Sequence, residues 1–109
     1  MDASELLRQY AAGKRDFSGV NLSGANLCGI DLCSVDLSGA KLLQINLSGA
    51  SLCGAALCGV LLVDADLSRA NLCGAKLRGA DLYRANLDEA DLTNADLSGA
   101  TMPNGLIHV

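Results

Sequence analysis

Cys33, Cys53 and Cys73 fall 20 residues apart, with Thr93 next in the series. Three thiols in register could hold a metal or cycle between redox states. Zinc needs four ligands converging as a tetrahedron, and a straight column of thiols does not converge. The one histidine, His108, lies in the C-terminal tail. A Cys33–Cys53 disulfide is also unfavourable if residues 20 apart stack directly. Their Cβ atoms would lie near the strand spacing of about 4.8 Å, beyond the roughly 3.5–4.5 Å that a disulfide tolerates. Five cysteines form an odd set, and no secretory leader is legible, so a disulfide framework is not expected. The thiols read as small structural residues standing in for Ser or Ala. Nor does the chain contain a Ser-His-Asp set or a phosphate-binding loop. No catalytic residue, metal or cofactor is expected, and the chain does not read as an enzyme.

The elements that position these side chains follow from a period of five. Leu22, Leu27, Leu32, Leu37 and Leu42 begin a series that runs to Leu97, with Phe17 opening it and Met102 closing it. Around each central residue i, position i−2 is mostly Ala, with Val20, Ile30, Val35, Ile45 and Val60 in five units and Arg15 as the exception. Position i−1 is mostly Asp or Asn, among them Asp31, Asp36, Asp66, Asp81, Asp91 and Asp96; position i+1 is mostly Ser or Cys; position i+2 is Gly in ten units.

A step of five turns an α-helix by about 140°, which would scatter the leucines around it. On a flat strand the leucines would alternate between faces. Both conflicts disappear if the chain turns one corner per unit. Positions i−2 and i then point inward, i−1 points outward, and i+1 and i+2 form the corner, where Gly is tolerated. Four corners close a square of 20 residues, so the 18 units make about four and a half coils. Glycines that recur as corners are not nucleotide loops, and the recurring Asp needs no catalytic role.

Ala25-Asn26-Leu27-Cys28-Gly29 and Ala95-Asp96-Leu97-Ser98-Gly99 resemble the repeats of the pentapeptide-repeat proteins, and the resemblance runs in phase from 15 to 104. It implies an all-β solenoid, a right-handed quadrilateral β-helix; the handedness comes from the family alone. With a short N-terminal capping α-helix and a brief tail, the chain looks most like the small members common in cyanobacteria.

Three regions result: a capping helix in 1–14, the β-helix in 15–104, and a tail in 105–109. The helix is expected over 3–12, with Asp2 as N-cap, Glu5 completing a capping box and Gly13 at the C-cap. Leu6, Leu7, Tyr10 and Ala11 would form its apolar face, a lid for one end of the stack. Pro103-Asn104-Gly105 predicts a turn. Leu106, Ile107 and Val109 after it would cover the other end of the core, or meet the same tail in a homodimer.

Half the residues are apolar yet only three are aromatic, as a narrow Leu/Ala core requires. Residues 42–63 are uncharged and of transmembrane length. Gln44, Asn46, Ser48 and Ser51 interrupt them, however, and the five-residue phase continues through, so no membrane association is expected. The net charge of −4 argues against direct nucleic-acid binding, and a cytoplasmic protein is expected.

One outward column departs from the pattern. Ser23, Leu43, Val63, Tyr83 and Pro103 share a corner, and Leu61 lies on the same face between Lys41 and Asp81. Large apolar residues facing outward mark contacts. Leu43, Leu61, Val63 and Tyr83 are therefore the candidate interaction face of a scaffold that binds an unidentified protein. Some members of the resembling family regulate topoisomerases such as gyrase by imitating DNA. Asp88, Glu89, Asp91 and Asp96 would serve that alternative, although Lys76, Arg78 and Arg84 interrupt the acidic surface. A purely structural module is the third reading.

Overall fold

The computed structural model describes residues 1–109. A single α-helix, α1 (Ala3–Ala11), precedes a stack of chain turns, and the molecule measures 37 × 24 × 24 Å. From Asp16↔Asp36 to Asp81↔Thr101, every parallel bridge joins residues 20 apart, so each turn of chain contains four five-residue units. The pairing involves one bridged residue per side, at position i−1, rather than extended strands.

The ladder repeats with little variation. The Leu22 N–H donates to the Lys41 carbonyl (2.9 Å), the Lys41 N–H to the Val20 carbonyl (2.8 Å), and the Gly24 N–H to the Leu43 carbonyl (2.9 Å). Each corner is closed from within, as where the Ala25 N–H donates to the Leu22 carbonyl. Only the residue at i+2 has a positive φ there, which is the pattern of a type II turn. Glycine supplies that conformation at ten corners. Ser34, Gln44, Asp64, Arg69, Arg84, Glu89 and Asn94 adopt it with side chains, at φ between 58° and 62°.

Where the residue before the central Leu or Phe is Asp or Asn, it has a defined task. Its Oδ1 accepts the N–H two positions on, as in Ser18 to Asp16, Cys33 to Asp31 and Cys73 to Asn71. Such Asx turns occupy the outward position and leave the interior to hydrocarbon. The core consists of Leu and small residues, and no polar or charged residue is buried.

Asp2 caps α1, its carboxylate accepting the Glu5 N–H at 2.8 Å. The reciprocal half of the expected capping box is missing, because the Glu5 carboxylate accepts from Gln9 instead. The C-cap is Ala12 and not Gly13, which follows it at φ +104°. Leu6 is fully buried and Leu7 and Tyr10 pack on the core, whereas Ala11, expected on the same face, is exposed. The Tyr10 hydroxyl donates to the Cys33 carbonyl (2.7 Å), and the Arg15 guanidinium lies over the Tyr10 ring at 3.7 Å. Arg15 can occupy an i−2 position because it turns outward to hold the helix.

The expected turn at 103–105 forms, with the Gly105 N–H donating to the Met102 carbonyl and Gly105 at φ +87°. The tail then pairs antiparallel, Thr101 against Ile107. Its side chains do not cover the core as expected: Leu106, Ile107 and Val109 are all exposed. No helix is long and apolar enough to cross a membrane; residues 42–63 form turns of the stack.

Candidate functional site

The side that departs from the repeat is built from the units centred on Leu22, Leu42, Leu62 and Leu82. At ordinary corners the Asx carboxylate or amide before the Leu secures the N–H after it. Here Lys41 and Leu61 stand in that position. The Leu43 N–H finds a substitute one turn below, donating to the Ser23 hydroxyl at 3.2 Å. The Val63 N–H has no partner. A depression of about 370 Å³ lies along this corner, lined by Ser23, Gly24, Leu43, Gln44, Val63 and Asp64.

Leu43 is 38% exposed and Tyr83 44%, while Leu61 and Val63 are half-buried. Leu61 bridges to both Lys41 and Asp81, as the 20-residue spacing predicts. Leu43 and Val63 thus share the depression, Leu61 lies in the adjoining ladder, and Tyr83 stands one turn beyond. Tyr83 leans towards the C-terminal turn, where a Cβ on Gly105 would meet its ring at 3.5 Å. The neighbouring ion pair was missed in reading the sequence: Arg84 Nε meets Asp64 Oδ1 at 2.8 Å and marks one edge of the depression. Both are i+2 residues 20 apart, and that spacing was the signal that could have found them.

The cysteines are free. Cys28 accepts from the Ser48 hydroxyl one turn above (3.2 Å), and the Cys33 sulfur lies 3.0 Å from the Ser51 hydroxyl. No group of three or more Cys, His, Asp or Glu side chains is arranged to hold a metal ion. Among the acids, Asp96 pairs with Arg78 at 3.3 Å, whereas Asp88, Glu89 and Asp91 make no ion pair. Asp91 and Asp96 are held below the ordinary carboxylate range by side-chain and then backbone hydrogen bonds from Thr93 and Ser98 respectively. Both are therefore anionic well into mild acid.

A stack of chain turns built from five-residue units, with an apolar depression at one corner, defines a five-residue-repeat protein. Residues 16–54 and 65–102 match the model of the pentapeptide repeats in eight copies, and the chain belongs to that family, whose members fold as right-handed β-helices. Among solved structures it is similar to HetL, a pentapeptide-repeat protein involved in heterocyst differentiation regulation from the cyanobacterium Nostoc sp. strain PCC 7120. The identity is 43% over 85% of this chain and 43% of HetL, with a TM-score of 0.59. It is also similar to the pentapeptide-repeat protein alr5209 from Nostoc PCC 7120, at 44% identity over 92% of this chain and 79% of that one, with a TM-score of 0.53. This chain thus spans less than half the length of HetL. A search of curated proteins found no match.

Proposed function

We propose that this chain is a non-enzymatic scaffold of about four and a half coils that binds another protein through the face formed by Leu43, Leu61, Val63 and Tyr83. The observation that carries this reading is the apolar depression at the one corner column where Leu, Val and Tyr replace the usual small or polar residues. Burying exposed apolar side chains against a partner contributes about 25 cal/mol per Å². The unpartnered Val63 N–H offers one directional hydrogen bond beside them. Likeness to HetL, a protein of differentiation regulation, agrees with action by binding. Five free thiols suit a reducing, cytoplasmic setting.

The test is capture from a lysate of the source cells by the wild type and by a Leu43→Asp/Tyr83→Asp variant, each first shown to be folded by circular dichroism. A protein retained by the wild type in high salt and lost by the variant is the expected result. Equal retention by both removes this face from consideration. If nothing is retained by either, the scaffold reading gives way to a purely structural one.

A further inference from the structure

The chain's net charge is concentrated at one end. Residues 85–109 contain Asp88, Glu89, Asp91 and Asp96 and no Lys or Arg. Twelve acids and eight bases in the whole chain leave the first 84 residues balanced at eight of each. These four acids rim the last turn of the stack, and that turn is open. The Leu87, Glu89, Leu92, Asn94 and Leu97 N–H groups donate to no carbonyl, and the Ala85, Ala90 and Ala95 carbonyls accept from none. Leu87, Leu92 and Leu97 are half-buried there, while the corresponding leucines in the middle of the stack are fully buried. Three sides of the end thus present unpaired backbone around an incompletely covered apolar floor.

The fourth side shows what such an edge accepts. The Gly99 N–H donates to the His108 carbonyl, the His108 N–H to the Ala100 carbonyl, and the Met102 N–H to the Leu106 carbonyl. An extended segment, here the chain's own tail, already lies along it. Exposed edges of this kind invite strand addition. A second copy meeting this end would bring Asp88, Glu89 and Asp91, none of them ion-paired, against the same three acids, and like charges in close apposition oppose that contact. The opposite end of the stack is occupied by α1.

We propose that the open C-terminal end docks an extended, basic and apolar segment of another protein, which pairs with the Ala90–Leu92 side and sets its cations against Asp88, Glu89 and Asp91. This site is separate from the Leu43 face and does not depend on it.

The probes are 11-residue peptides of alternating Lys and Val, Glu and Val, or Lys and Ser, titrated against the full chain in low salt with amide chemical shifts as the readout. The Lys/Val peptide is expected to perturb Leu87, Glu89, Leu92 and Asn94 and leave the Leu43 face unmoved. The Asp88→Asn/Glu89→Gln/Asp91→Asn variant should weaken its binding about tenfold, the scale of three exposed ion pairs. Raising the salt should weaken it in the wild type. The Glu/Val and Lys/Ser peptides should bind at least tenfold more weakly, the first lacking charge complementarity and the second the apolar contact. The proposal is overturned if the Lys/Val peptide does not bind, if it binds the neutralised variant equally, or if the Lys/Ser peptide matches it. Sedimentation showing the wild type paired through this end in low salt would overturn it as well.

Discussion

Every corner from Gly19 to Gly99 demands a left-handed residue at its second position, whatever the sequence places there. A side chain in that region costs on the order of 1 kcal/mol by contact between Cβ and its own backbone. Gly59 separates this cost from crowding, because a Cβ built on it meets nothing within 4 Å. Gly59→Ala should nonetheless destabilise the protein by about 1 kcal/mol in urea unfolding. Ser34→Gly should stabilise it by roughly 0.5 kcal/mol, after the greater freedom of glycine in the unfolded chain is counted. No loss in Gly59→Ala would show that the corners relax out of the left-handed region.

The outward carboxylates act at the same scale. Asp66 is held below the ordinary range by the Ser68 side chain and then by the Ser68 N–H; Asp16 by the Ser18 N–H and then its hydroxyl. A folded-state value below the unfolded one stabilises the protein above the unfolded value of about 3.9. That contribution is lost as the pH falls through the folded-state value. Melting temperature should therefore stay level from neutral pH to about 5 and drop below about 4. Replacing Asp16, Asp31, Asp66, Asp91 and Asp96 with Asn keeps the accepting oxygen, as Asn71 and Asn86 do naturally, and should flatten the drop. An unchanged acid limb in that variant would assign the loss to other groups.

At the scale of elements, α1 and the tail are alike in one respect, since each places a few apolar side chains at one end of the stack. They behave differently because of what each docks with. α1 inserts Leu6 and anchors Tyr10 to the Cys33 carbonyl. Leu6→Ala should cost about 2–4 kcal/mol and expose the first turn to hydrophobic dyes, while Tyr10→Phe should cost about 1 kcal/mol. Equal and negligible effects would mean that the helix is dispensable. The helix was legible through its cap and apolar spacing, although the exposed Ala11 shows that a single turn of apolar residues does not fix the width of the buried face. The tail was not legible, because apolar composition does not specify direction. Antiparallel pairing puts Ile107 opposite Thr101, an outward i−1 residue, so Ile107 faces outward too. The candidate face could be located because a period of 20 determines which residues stack. The same period stacks Asp64 under Arg84, but the closeness of that pair and the shape of the depression depend on side-chain placement at corners, where the pattern specifies only that the chain turns.

Across the whole molecule, each turn touches only its neighbours, so stability is a sum along the stack and its ends are the weakest points. The two ends differ. At the first, α1 buries Leu6 with Phe17 beneath the Lys14 ammonium, 5.1 Å from the ring centre. At the last, Leu87, Leu92 and Leu97 are half-buried beside unpaired N–H groups. Leu57, in the middle, is fully buried, and its N–H reaches the Lys76 carbonyl at 2.7 Å. Leu57→Ala should then cost about 2–5 kcal/mol and Leu92→Ala roughly half as much, because less hydrocarbon is removed from a packed site. Hydrogen exchange should grade in the same direction, with Leu87, Leu92 and Leu97 amides exchanging first, then the turn before them, and the Leu57 amide only with global opening. Uniform protection from α1 to Leu97, with equal costs for the two substitutions, would mean that the stack opens as a single unit and that its C-terminal turn is as firmly held as its middle.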